Sequence, residues 1–228
     1  MIVRSGSWRS LCNLGDYTKL LIHSNTSDGS TTFTDSSDSG HTITAAGSAA
    51  HDTAQAKFGA SSILFGGAIG DYLSIPDHAN FNLGTDSFTI DFWVRFASVG
   101  PSKFVRQIGT EGADSGYIFE YIHATTVLRF ANHVSGTSTA IISKTWAPAQ
   151  DTWYHIACVR SGDNWALYVN GRMLGTETDS TSISNSAEAF QIGSPNSGFS
   201  GWMDEFRLVI GKAMWTSQFV PPRGQYAA

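Results

Sequence analysis

The hydrophobic and polar positions of the chain alternate far more often than they follow a helical period. Between residues 87 and 96, SFTIDFWVRF places Phe88, Ile90, Phe92, Val94 and Phe96 on one side and Thr89, Asp91, Trp93 and Arg95 on the other. This is the period-two pattern of a strand with one buried face. The stretch WYHIACVRSGDNWALYVNGRMLGTE (153–177) reads as three strands: the first ends near Arg160, SGDN turns, and WALYV meets RMLGTE across Asn170 and Gly171. Asn-Gly between alternating runs predicts a tight hairpin, because both residues tolerate the positive φ of a type I′ turn. Further strands are expected at KLLIHS (19–24), HTITAA, SSILFG, DYLSIP, GYIFEYIH, VLRFANH, TAIIS, AFQIG and the opening of WMDEFRLVI, with room for one helical turn in PDHANFNLG. Many short strands separated by small polar turns predict an all-β fold, a two-sheet antiparallel β-sandwich of jelly-roll type.

A length of 228 residues fits one large all-β domain or two small ones. No internal repeat or linker divides the chain, so a single domain is expected over 19–228, preceded by an arm at 1–18. With 41% hydrophobic and 14% charged residues the chain can build a core and is globular. A net charge of -5 with scattered positive residues lacks the basic footprint of a nucleic-acid binder. The apolar runs are too short for membrane insertion, and no signal peptide is evident at the N-terminus. Cys12, in the arm, and Cys158, in a strand, read as two free thiols.

In GWMDEFRLVIGKAMW (201–215), alternation puts Trp202, Asp204, Phe206, Leu208 and Ile210 on one face and Met203, Glu205, Arg207 and Val209 on the other. Asp204 thus falls in an apolar row, where a carboxylate needs a partner because an unpaired buried charge is very costly.

Together, LLIHSNTSDGSTTFTDSS, AKFGASSILFGG, DYLSIPD, SFTIDFWVRF, TWYHIACVRSGDNWALYVNGRMLG and GWMDEFRLVIGKAMWTSQFVPP resemble the laminin-G-like jelly-roll domains of the concanavalin A-like lectin/glucanase superfamily, over about residues 19–226. The pairing of an early TTFTD with a late TSQFVPP is similar to copies found in bacteriophage tail, fibre and other virion proteins. The resemblance implies a structural calcium ion at the sandwich edge. Its ligands would be Asp204 from the late strand, Asn25 near the first strand, where the family often has aspartate, and the turn from Gly59 to Ser61. Asn25 supplies an oxygen but no charge. The alternative is that Asp204 accepts backbone amides or pairs with an arginine, with no metal. Asp35 and Asp38, in TDSSDSG, either add oxygens or form a solvated turn.

The glucanase branch of the superfamily uses Glu-x-Asp-x-Glu or Glu-x-Asp-x-x-Glu on one strand face, and a retaining pair needs its carboxyls about 5 Å apart. The five glutamates, Glu111, Glu120, Glu177, Glu188 and Glu205, fit neither pattern, and alternation puts the two acids of MDEF on opposite faces. The histidines show no His-x-x-x-His zinc spacing, and His155 reads as a packed strand residue. Gly66 and Gly67 belong to a turn rather than a phosphate loop. The protein is therefore expected not to be an enzyme.

In the superfamily, saccharides lie on a concave sheet face or its rim loops. Candidates are Asp91, Trp93 and Arg95 on the back of one strand, and Tyr117, Tyr121 and Arg129 on neighbouring strands, with sheet packing as the alternative role for the aromatics. The function expected is a noncatalytic binding or adhesion module that reads cell-surface glycans, at a virion surface or extracellularly. A second reading is a purely structural virion protein, assembled or oligomerised through arm residues Ile2, Val3, Trp8 and Leu11 with Arg4 and Arg9. A divergent polysaccharide hydrolase is a third.

Overall fold

A computed structural model describes residues 14–227. The expected arm contacts of Ile2, Val3, Arg4, Trp8, Arg9 and Leu11, and the state of Cys12, lie outside the described residues. Among the described residues no helix is long and apolar enough to cross a membrane.

In chain order the strands are β1 (Thr18–Ile22), β2 (Thr44–Ala46), β3 (Ala50–Asp52), β4 (Ser62–Gly66), β5 (Tyr72–Ile75), β6 (Phe88–Ser98), β7 (Ser102–Gln107) and β8 (Gly116–Ile122). They continue with β9 (Val127–Val134), β10 (Thr137–Thr145), β11 (Trp153–Ser161), β12 (Asn164–Val169), β13 (Arg172–Thr178), β14 (Phe190–Gly193) and β15 (Ser200–Ile210). An eight-stranded sheet runs β13-β12-β11-β6-β15-β4-β3 with β1 also on β15, and a seven-stranded sheet runs β10-β9-β8-β7-β14-β5-β2. All of these pairings are antiparallel. The two sheets enclose one core in which Phe88, Ile90, Phe92, Val94 and Phe96 of β6 meet Tyr117, Phe119, Leu128, Phe130 and Phe190 of the facing sheet. This is the expected two-sheet antiparallel sandwich.

The Asn170-Gly171 hairpin is present, with φ of 50° and 72° and Val169 paired to Arg172. Gly171 is also a point of close approach: a Cβ there would lie 1.9 Å from the carbonyl oxygen of Phe219. Two strands were not legible in the alternation. β3 is three residues long, and in β7 a register shift between Lys103 and Val105 sends both Phe104 and Val105 into the core.

The alternation expected along β15 breaks at Glu205. Asp204 pairs with Trp93 and Arg207 with Asp91, so three steps of β15 oppose two of β6, and Glu205 takes φ of 51°. Such a bulge inserts one residue and reverses the facing of everything beyond it. Met203, Phe206 and Leu208 therefore all enter the core, while Asp204 and Arg207 share the outer face with Trp93 and Asp91. Asp204 does not stand in the apolar row that simple alternation assigned to it.

Residues 211–227 cross that outer face as a strap. Met214 N donates to Thr89 Oγ1 at 2.9 Å and Phe219 N to the Gly171 carbonyl at 3.0 Å. Ala213, Trp215 and Phe219 pack on a second, smaller apolar cluster of Ala157, Val159, Ala166 and Tyr168.

Candidate functional site

The outer face of the eight-stranded sheet carries the residues singled out in SFTIDFWVRF, and the strap seals the half nearest β15. Asp91 is fully buried and bidentate with Arg207, Oδ1 accepting from Nε at 3.0 Å and Oδ2 from Nη2 at 3.1 Å. The Tyr226 hydroxyl, brought in by the strap, donates to Asp91 Oδ2 at 2.5 Å, and His155 Nε2 lies 3.2 Å from the same oxygen and 3.0 Å from Tyr226 Oη. Burial pushes the Asp91 carboxyl up, but Arg207 and His155 together outweigh it and hold it below its ordinary value. The Tyr226 ring covers Arg207, whose guanidinium carbon lies 3.9 Å from the ring centre.

Asp204 is satisfied differently. Its Oδ2 accepts the amides of Lys57 and Phe58 at 2.9 and 3.0 Å, and Oδ1 accepts the Glu205 amide at 2.9 Å. Burial pushes the carboxyl up to about 7 against the pull of those amides. The same loop takes Asn25, whose Oδ1 accepts the Ala60 amide at 3.1 Å, while Ser61 Oγ donates to the Ser24 carbonyl at 2.5 Å. Gly59, at φ of 66°, leaves room for this: a Cβ would fall 1.9 Å from Asn25 Oδ1.

Asp204, Asn25, Gly59 and Ser61 thus come together at one corner, as the resemblance implied. Calcium, however, needs six to eight oxygens converging on a point, and here the oxygens of Asp204 and Asn25 are turned toward N–H groups. Among the described residues no three or more His, Cys, Asp or Glu side chains are grouped so as to hold a metal. As arranged, Asp204, Asn25 and Ser61 tie this corner together by hydrogen bonds, with Gly59 leaving room for Asn25.

Glu205 is also engaged. It sits 3.0 Å from His23 Nδ1 through both oxygens, and it accepts the Tyr226 amide at 2.7 Å and Gln225 Nε2 at 3.3 Å. Its hydrogen bond raises the His23 pKa against the effect of burial.

The saccharide candidates divide. Asp91, Trp93 and Arg95 do share the outer face, but Asp91 is spent in its ion pair. Trp93 is 6% exposed, with the Lys57 ammonium 4.0 Å from its ring centre and the edges of Phe58 and His155 against it. Arg95 pairs with Asp151 at 2.9 Å. Tyr117 and Tyr121 point into the core, because they alternate with outward-facing Ile118 and Glu120 on β8; the Tyr117 hydroxyl donates to the Phe81 carbonyl at 2.9 Å. Arg129 lies across the sandwich, on the outer face of the other sheet, donating to Glu120. Tyr117 and Tyr121 are thus corrected from sugar contacts to core residues, and Asp91 to a buried ion pair.

Beyond the sealed half, over β11, β12 and β13, the strap leaves a recess of about 270 Å³ lined by Tyr168, Asn164, Met173, Thr176, Trp215 and Thr216 among others, none of them charged. Trp215 is held in place by Phe219, stacked at 3.8 Å with 5° between the planes, and by Arg207, 5.7 Å from its ring centre. The Tyr168 hydroxyl is buried and has no hydrogen-bond partner among the described residues. The sequence signal for this site was KAMWTSQF, where Trp215 and Phe219 stand four apart after the last strand. Alternation does not reach such a segment.

The family described as Laminin_G_3, concanavalin A-like lectin/glucanases superfamily, matches residues 65–213. The chain belongs to that superfamily. A search of curated proteins finds no match. Among solved structures, the binding domain of Paraclostridial Mosquitocidal Protein 1 is similar over 89% of this chain and 51% of its own, with 14% identity and a TM-score of 0.69. Botulinum neurotoxin type C, whose cell entry is dependent upon interaction with two ganglioside molecules, is similar over 90% of this chain and 50% of its own, with 16% identity and a TM-score of 0.67. The binding domain of botulinum neurotoxin DC in complex with SialylT is similar over 89% and 50%, with 15% identity and a TM-score of 0.67. This concanavalin A-like domain spans about half the length of each, and the likeness is one of fold. Neither the family match nor these structures carries the bacteriophage setting suggested by the early and late motifs.

Proposed function

We propose that this concanavalin A-like domain is a noncatalytic recognition module whose ligand is a cell-surface glycan. The observation that carries the reading is the uncharged, aromatic-walled recess under the strap, beside a group of acids that are all engaged. Glycan sites combine apolar rings with a few placed polar groups in a concave surface. A glycosidase would instead need a pair of free carboxyls. Asp91 is bound by Arg207 and Tyr226, Asp204 by three amides, and Glu205 by His23 and the strap. Botulinum neurotoxin type C, whose cell entry depends on two ganglioside molecules, and the binding domain of botulinum neurotoxin DC in complex with SialylT support the ligand class by analogy of fold.

The test is affinity electrophoresis on polysaccharide gels together with a glycan array, run beside an assay for released reducing sugar. Retardation or array binding without turnover is expected. Turnover on any polysaccharide, or no retention on any glycan, would overturn the reading.

A further inference from the structure

We infer that the recess walled by Trp215 and Tyr168 seats a single uncharged pyranose ring, with one ring hydroxyl meeting the phenol of Tyr168. This rests on the reading of the domain as a glycan-recognition module and adds the position of the seat and the charge class of its occupant. The first support is the unmet hydrogen bond. Buried hydroxyls nearly always have a partner; Tyr168 is one of the residues lining the recess, and its buried hydroxyl has none among the described residues. A hydroxyl supplied from outside would complete it.

The second support is the chemistry of the wall. Trp215 and Met173 offer apolar surface to the C–H face of a sugar ring, and Asn164, Thr176 and Thr216 offer an amide and hydroxyls to its edge. A pyranose is itself an apolar ring face bordered by hydroxyls. A volume of about 270 Å³ suits one ring rather than a chain lying lengthwise.

The third support is the absence of charge from the lining. A carboxylate taken into this recess would lose its hydration with no cation there to replace it. Neutral hexoses and N-acetylhexosamines therefore fit, and acidic sugars do not. Two other concavities lack this combination. The cleft between residues 82–86 and 182–185 includes Asp86 and has no aromatic ring, and the groove beside Trp93 is bordered by Lys57 and Arg223.

The experiment titrates the full chain with methyl glycosides of glucose, galactose, mannose and N-acetylglucosamine, and with the methyl glycoside of sialic acid, following tryptophan fluorescence and heat. At least one neutral glycoside is expected to bind with a dissociation constant on the order of millimolar, as befits so small a ligand. Tyr168→Phe, which removes only the hydroxyl, should weaken it by about 3- to 10-fold. Trp215→Ala should weaken it at least about tenfold. Urea midpoints of both variants check that they fold.

Two results would place the seat elsewhere while leaving glycan recognition intact: neutral glycosides bound equally by the wild type and both folded variants, or binding only of the sialoside. Array binding of longer glycans with no response to any monosaccharide would overturn the single-ring seat in the same way. No binding to any glycan would overturn both the seat and the recognition reading.

Discussion

The two halves of the outer face of the eight-stranded sheet share strands and a strap but differ in what the strap does to them. Over β6 and β15 it adds Tyr226 to Asp91 and Arg207 and its backbone to Glu205, so that each charged group finds a partner and water is excluded. Over β11 to β13 it adds Trp215 and Phe219 and leaves a recess with no charge in its wall and one hydroxyl unmet. Arg207 touches both halves, holding Asp91 on one side and lying against Trp215 on the other. Acids on a lectin-like sheet face invite a functional reading; here the strap closes over them, and the proposed seat lies in the neutral aromatic half.

Breaking the sealed half should have the largest effect. Arg207→Ala leaves Asp91 buried without its cation, and is expected to cost about 3–5 kcal/mol in urea unfolding. Asp91→Asn combined with Arg207→Met should recover part of that loss, because neither product is charged. Gly171→Ala comes next, since its Cβ would meet the Phe219 carbonyl and its φ is positive. A loss of about 1–3 kcal/mol is expected, with glycoside binding weakened because Phe219 no longer supports Trp215.

Asp91 and Asp204 should show opposite pH signatures. Asp91 lies below its ordinary value of 3.8, so its contribution is present above that pH and is lost as pH falls through the folded pKa. Asp204 is pushed up to about 7, so the folded chain binds its proton more tightly than the unfolded chain does. Its contribution is full below 3.8 and is lost as pH rises toward 7. Asp204→Asn should flatten the decline of stability between about pH 4 and 7, measured by urea midpoints, in a His23→Gln background. His23, raised by Glu205, otherwise adds a loss of its own as pH rises above 6.5. The smallest effect is expected from calcium. With Asp204 and Asn25 bound to amides, neither millimolar calcium nor excess chelator should move Tm, whereas an ion bound only by the folded state must raise it.

Much of the fold was legible because alternation was strict where both sheets pack. The core side of SFTIDFWVRF and the Asn170-Gly171 turn are as the side-chain period and turn chemistry require. The bulge at Glu205 was not legible, because a residue with φ of 51° that is neither Gly nor Asn gives no sign in the sequence. That one inserted residue moved Asp204 to the outer face and turned the question of a buried acid in an apolar row into one of amide pairing. The face of Asp91, Trp93 and Arg95 was also legible, but its cover was not: period two assigns a side to each residue and says nothing of a strap that returns from residues 211–227. Trp215 and Tyr168 were missed for the same reason, since the recess exists only once the strap lies on the sheet.

The most direct test follows the tryptophan indole signals of the full chain by NMR while the neutral glycoside that binds best is added. The account predicts that the Trp215 indole resonance, assigned by its loss in Trp215→Phe, shifts with the ligand while that of Trp93 stays in place. A shift of Trp93 with Trp215 unmoved would contradict it.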